Sequence, residues 1–148
     1  MPKKYKFFFI ALVVIFVVDQ IIKSIFIGGF DLPGDCISLT LAYNKGVAFS
    51  MFASLGAYLK YIQIVLIGSV LAYIFWDKEL LQEHSIALGL LMGGGISNLL
   101  DRFVHEGVVD YIYWHCGFDF AIFNLADVMI NLGVILILWK TFRKKETS

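Results

Sequence analysis

This sequence is short of the side chains that most often carry chemistry. Its 148 residues include two cysteines, Cys36 and Cys116, and three histidines, His84, His105 and His115. The cysteines show no metal-ligand spacing. Free thiols are the plainer reading for them, with a disulfide as the alternative. The scattered histidines fit neither a metal site nor a serine or cysteine triad. There is no excess of either charge: 12 Lys and Arg balance 12 Asp and Glu, which gives no footprint for nucleic acid. The chain also lacks repeats and low-complexity stretches, and at this length one domain, 1–148, is expected.

What is present in excess is apolar surface. The chain is 59% hydrophobic, with a mean hydropathy of +0.80. A soluble domain sits nearer half apolar. The excess falls in four blocks, about 7–27, 58–76, 85–102 and 122–142. Each is near the ~20 residues a helix needs to cross the hydrocarbon of a bilayer. The expectation is an all-α membrane protein of four transmembrane helices. The start resembles a secretory signal, but Asp19-Gln20 follows with no small-residue cleavage site and the apolar pattern resumes through Ile27. That reads as an uncleaved first span.

Lys3, Lys4 and Lys6 precede the first block, and Lys140, Arg143, Lys144 and Lys145 follow the last. By the positive-inside rule both ends are cytoplasmic. A connection around 77–84 is then also cytoplasmic, and longer segments at 28–57 and 103–121 face outward. The first outer segment has a turn signal at Asp31-Leu32-Pro33-Gly34-Asp35, then β-formers over Ile37–Tyr43. A small extracytoplasmic β-rich segment between helices 1 and 2 is expected there. Gly89, Gly93 and Ser97, spaced by four, form a small-residue stripe for close helix packing. Trp76, Trp114, Tyr111 and Tyr113 read as interface anchors.

Four polar clusters fall toward the outer side. Asp19-Gln20 with Lys23 offers an i,i+4 ion pair, whose bland form is an interface pair with Lys23 snorkelling outward. Asn44-Lys45-Gly46 is a common turn, or a means of holding substrate backbone. Asn98, Asp101 and Arg102 close the third block, and their plain reading is a charge-neutralising pair of Asp101 with Arg102. The fourth cluster is Asp110 with Asn124 and Asp127. Asn124 is a favourable N-cap, and Asp127 three residues on completes a capping box. Capping does not account for Asp110. Ionisable groups near hydrocarbon are functional candidates by default, and two close carboxylates divide into an acid and a base.

The ordered motifs are Asp19-Gln20 with Lys23, Asn44-Lys45-Gly46-Val47-Ala48-Phe49-Ser50, Gly93-Gly94-Gly95-Ile96-Ser97-Asn98-Leu99-Leu100-Asp101-Arg102, Val109-Asp110-Tyr111-Ile112 and Phe123-Asn124-Leu125-Ala126-Asp127. Together they resemble the bacterial lipoprotein signal peptidases, the type II signal peptidase family of membrane aspartyl peptidases. The likeness runs from about Lys4 to Lys140. Ser97 and Tyr111 depart from the family's usual Gly and Phe and remove no functional group.

The resemblance implies removal of signal peptides from diacylglyceryl-modified prolipoproteins, by cleavage before the lipid-bearing cysteine. It implies a catalytic pair at Asp110 and Asp127. It makes Asp19, Lys23, Asn44, Gly46, Asn98, Asp101, Arg102 and Asn124 supporting residues. No metal or cofactor is expected. The expected partners are the lipidated precursors and membrane lipids, with no nucleic acid. The expected state is a monomer in the bacterial inner membrane, with its site on the extracytoplasmic side. From the residues alone two other readings stay open. One is a small proton-coupled carrier using the outer-face acids. The other is a non-catalytic helical partner protein.

Overall fold

A computed structural model describes residues 3–46, 53–56, 58–105 and 107–146. Four long helices carry the fold: α1 (Lys3–Ile27), α2 (Tyr58–Trp76), α3 (Lys78–Val104) and α4 (Leu125–Glu146). Two strands, β1 (Ile37–Asn44) and β2 (Val108–Trp114), pair antiparallel beside them. Three helices are long and apolar enough to cross a membrane: Tyr5–Ile27, Tyr58–Trp76 and Leu125–Lys145. Most of their surface faces outward. Phe7, Val13, Tyr58, Val65, Ile135 and Trp139 are each at least half exposed. In water this would be untenable; against lipid it is the expected face.

α3 is the hub. It packs on α1, α2 and α4, and it holds most of the buried positions. Its close approaches come from glycine. A Cβ on Gly89 or Gly93 would lie 2.6 Å from the carbonyl oxygen of Phe8 or Leu12 on α1, and one on Gly94 would lie 2.6 Å from that of Ala126 on α4. The small-residue stripe therefore packs as expected, and Gly133 of α4 returns the contact at the Ala87 carbonyl. Below this, Phe8, Ile74, Leu81, Leu88 and Met92 form an apolar core.

Several expectations need correcting. The connection placed at 77–84 is the beginning of α3. Asp77 caps it, accepting the Leu80 N–H at 2.9 Å, and buried Leu81 anchors it in the core. A kink at His84 (φ −119°, ψ 22°) marks where the apolar block starts. The β-rich region is not confined to the segment between α1 and α2. Its second strand comes from the segment before α4, with Ala42 opposite Asp110 and Asn44 opposite Val108. Tyr111 is no interface anchor. It is buried, its ring stacks on Phe26 at 4.5 Å, and its hydroxyl accepts the Leu125 N–H at 3.0 Å.

The cysteines are not free thiols. Cys36 and Cys116 form a disulfide across 80 residues of chain. The pairing of Ile37 with Trp114 brings the outer ends of both strands together, and the Cys36 carbonyl accepts the His115 N–H at 2.9 Å.

Candidate active site

The site is assembled where the inner end of the sheet meets the upper turns of α1 and α3 and the start of α4. β2 carries Asp110, which is 2% exposed. α4 carries Asp127 in its first turn, and Asn124 precedes that helix. Asp110 and Asp127 line one cavity of about 430 Å³, together with Asn44, Gln63, Asn98 and Arg102.

Two amides orient the two acids. Fully buried Asn124 donates its side-chain amide to Asp110 Oδ1 at 2.7 Å, to Asn98 Oδ1 at 3.1 Å and to the Val109 carbonyl at 3.2 Å. Its own Oδ1 accepts the Asp127 N–H at 2.8 Å, and Asp127 Oδ2 accepts the Asn124 N–H at 3.1 Å. The capping box is therefore real. It also leaves Asp127 Oδ1 free to accept from the Asn98 amide at 2.8 Å. Capping and site-building use the same two side chains through different atoms.

Burial pushes the Asp110 carboxyl up to about 7, with the nearby Asp127 charge adding to the effect. Hydrogen bonds from Asn44 and Asn124, and the Lys23 charge, oppose the rise. The group thus changes protonation near neutral pH, where a general acid or base is most useful.

Behind the pair lies a fully buried ionic network. Lys23 Nζ contacts Asp19 Oδ2 and Asp101 Oδ2, each at 2.6 Å, and donates to Asn98 Oδ1 at 2.8 Å. Its side chain turns inward, contrary to the snorkelling alternative. Asp19 Oδ1 accepts the Ala126 N–H at 3.0 Å, so α1 holds the first turn of α4. Ser97 Oγ donates to Asp19 at 2.6 Å, and Gln20 donates to Ser97 Oγ and Asp101 Oδ1 at 2.9 and 2.8 Å. Asp101 Oδ2 also accepts the Val109 N–H at 3.1 Å, next to Asp110. Two buried acids against one lysine would be costly alone; these added donors satisfy the remaining oxygens.

The expected pair of Asp101 with Arg102 is not formed. Neighbours on a helix point about 100° apart, so the two side chains meet different partners. Arg102 donates Nε to Gln63 Oε1 at 3.0 Å and a terminal nitrogen to the Gly46 carbonyl at 2.5 Å. The Gly46 N–H in turn reaches Asn44 Oδ1 at 3.0 Å, the expected Asn-x-Gly turn. The rest of that motif, Val47 to Ser50, lies outside the described residues. All ten expected site residues fall into this one assembly. The sequence reading missed Gln63 on α2 and Asn131 on α4, which also line the cavity. A lone amide in an otherwise apolar helix was the available signal. Among the described residues no group of His, Cys, Asp and Glu is arranged to hold a metal ion.

Known proteins resemble this chain over most of its length. The family model for signal peptidase II matches residues 11–143. The chain is 52% identical over 134 residues to a lipoprotein signal peptidase of Wolinella succinogenes, covering 90% of this chain and 92% of that one. It is 51% identical to one of Campylobacter jejuni, covering 99% and 96%. A solved bacterial membrane enzyme shares the fold, with a TM-score of 0.76 at 24% identity over 94% of this chain and 89% of that one.

Proposed function

The chain belongs to the signal peptidase II family of membrane aspartyl peptidases, and on that premise we propose that Asp110 and Asp127 are its catalytic pair. The substrate is a diacylglyceryl-modified prolipoprotein, cut just before the lipidated cysteine. The observation that carries this reading is the shared cavity, where both acids are held by amide side chains with an apolar wall opposite.

The pair carries one proton between its carboxyls at neutral pH. The ionised member takes a proton from the attacking water. The protonated member polarises the scissile carbonyl, then supplies a proton to the departing amine. Asn124 and Asn98 fix the direction of each carboxylate, and Asn44 braces Asp110 from the sheet. Arg102 anchors the Gly46 turn over the cavity. Lys23, Asp19 and Asp101 hold the frame.

The whole chain acts as one integral membrane peptidase domain and a monomer. All four helices cross the bacterial inner membrane, α3 at the centre shielded by the other three. Both basic ends are cytoplasmic, and the sheet and the dyad lie on the extracytoplasmic side. Peptide enters from the membrane with its lipid chains against Leu59, Ile62 and Leu66 of α2. A proton carrier would need acids distributed across the bilayer, whereas Asp19, Asp101, Asp110 and Asp127 gather at one end.

Purified protein should cleave a synthetic diacylglyceryl peptide before the modified cysteine, as read by mass spectrometry. Asp110→Asn and Asp127→Asn should each abolish cleavage in folded protein. Near-normal turnover by either would sink the assignment, and proton flux in liposomes without cleavage would favour the carrier.

A further inference from the structure

One polar side chain on the cavity wall takes no part in the network. Asn131 lies on α4 four residues beyond Asp127, on the same helix face and about 6 Å deeper along the axis. Its helix neighbours Ile130 and Leu132 are apolar, and Leu59, Ile62 and Leu66 of α2 line the same cavity. The Asn131 side chain lines the cavity and makes no hydrogen bond among the described residues. Asn131 is exposed on α4; with that face in the bilayer, as the functional reading places it, an amide without a partner carries a penalty. Retaining one on the wall of a substrate cavity points to a partner that arrives with the substrate.

We propose that Asn131 is a positioning residue whose amide N–H donates to an ester carbonyl of the substrate's diacylglyceryl group. This rests on the functional reading above. The chemistry of the lipid anchor matches the placement. With the scissile bond at Asp110 and Asp127, the ester carbonyls lie a few bonds away, past the cysteine side chain, its thioether and the glycerol carbons. That span is comparable to the single turn that separates Asn131 from Asp127. Ester carbonyls are the first hydrogen-bond acceptors along that path, and beyond them the acyl chains offer none. One amide at this level therefore measures where the glyceryl unit stops and the hydrocarbon begins. It favours a diacyl-modified cysteine over a cysteine bearing a plain alkyl chain.

The test compares two synthetic lipopeptides of identical sequence, one with ester-linked and one with ether-linked chains. Ethers keep the shape and hydrophobicity and lack the carbonyls. For Asn131→Leu, KM for the diester should rise roughly three- to tenfold, the loss of one ordinary hydrogen bond. Its kcat and melting temperature should hold, and KM for the diether should stay at the wild-type value for that substrate. Asn131→Gln should recover part of the diester preference. An equal rise for both lipopeptides, or no change for either, would overturn the ester assignment while leaving the peptidase reading intact. Failure of the wild type to cleave the diester peptide at all would overturn the peptidase reading and this inference with it.

Discussion

Replacing Asp110 with Asn should abolish cleavage and, at alkaline pH, make the protein more stable. Asp110 is 2% exposed, and its carboxyl is raised from an ordinary 3.8 to about 7 by burial and by the Asp127 charge. The folded state therefore binds this proton more tightly than the unfolded state does. The stability contributed by that preference is fully present below pH 3.8 and is lost as pH rises through about 7. At about 1.4 kcal/mol per pH unit, the span from 3.8 to about 7 sets a ceiling of about 4 kcal/mol. Asn is neutral at every pH and still accepts from Asn44 and Asn124 through its carbonyl oxygen. At pH 8 it should recover a good part of that ceiling, about 2 kcal/mol or a melting shift of roughly 5 °C. At pH 5 the folded wild-type group is protonated while the unfolded one is still largely ionised, so the gap should narrow, closing only below pH 3.8. Thermal unfolding in detergent at both pH values, beside the cleavage assay, reads this directly. A variant that melts no higher than wild type at pH 8, or whose gap is the same at pH 5, would refute the argument.

Other expectations follow from the same contacts. Asn124→Ala should lose both the helix cap and the amide bond to Asp110, about 3 kcal/mol in all, whereas Asn124→Ser keeps a capping oxygen and should be about 1 kcal/mol more stable than Ala. Both should move the alkaline limb of the pH–rate profile upward, because the Asn124 donor holds the Asp110 carboxyl down. Arg102→Lys should lower turnover partially and Arg102→Ala more, since the planar fork reaches Gln63 and Gly46 together; an Ala variant equal to wild type would remove Arg102 from the site. Cys36→Ser with Cys116→Ser should keep most cleavage at moderate temperature while melting lower, the loss of a long-range crosslink costing about 2–4 kcal/mol.

The residues of the site were legible because membrane solvent makes polarity conspicuous. Asp19, Asn98, Asp101 and Asp127 stand out against apolar blocks, and the Asn124–Asp127 cap is a local pattern. Partnerships were less legible. Asp101 and Arg102 are adjacent in sequence, so a pair between them was the natural reading. Yet Asp101 meets Lys23 on α1, while Arg102 meets Gly46 and Gln63. Those choices depend on how α3 is rotated, which the glycine contacts with α1 and α4 decide. The second strand was hidden for a similar reason. Val108–Trp114 gains its pairing from a segment more than sixty residues earlier, and the disulfide depends on that pairing. Gln63 and Asn131 were passed over because single amides barely change the apolarity of a helix.

The start of α4 shows why capping and catalysis were hard to separate as readings. A helix start leaves unpaired N–H groups that need acceptors. Here Asp19 takes the Ala126 N–H, Asn124 takes that of Asp127, and Tyr111 takes that of Leu125. Two of these acceptors, Asp19 and Asn124, also belong to the network around the acids, and the third, Tyr111, follows Asp110 on β2. A carboxylate fixed by capping has its second oxygen aimed in a defined direction, and Asp127 uses that oxygen toward Asn98 and the cavity. The helix supplies rigidity that a loop acid would lack, and the catalytic role proposed for Asp127 would need that rigidity. It follows that changes at Asn124 or Asp127 disturb helix and chemistry together. Asp110 is held instead by the sheet and by amide side chains, so its charge can be removed with no helix end lost. That asymmetry makes Asp110 the residue at which stability and activity should move in opposite directions.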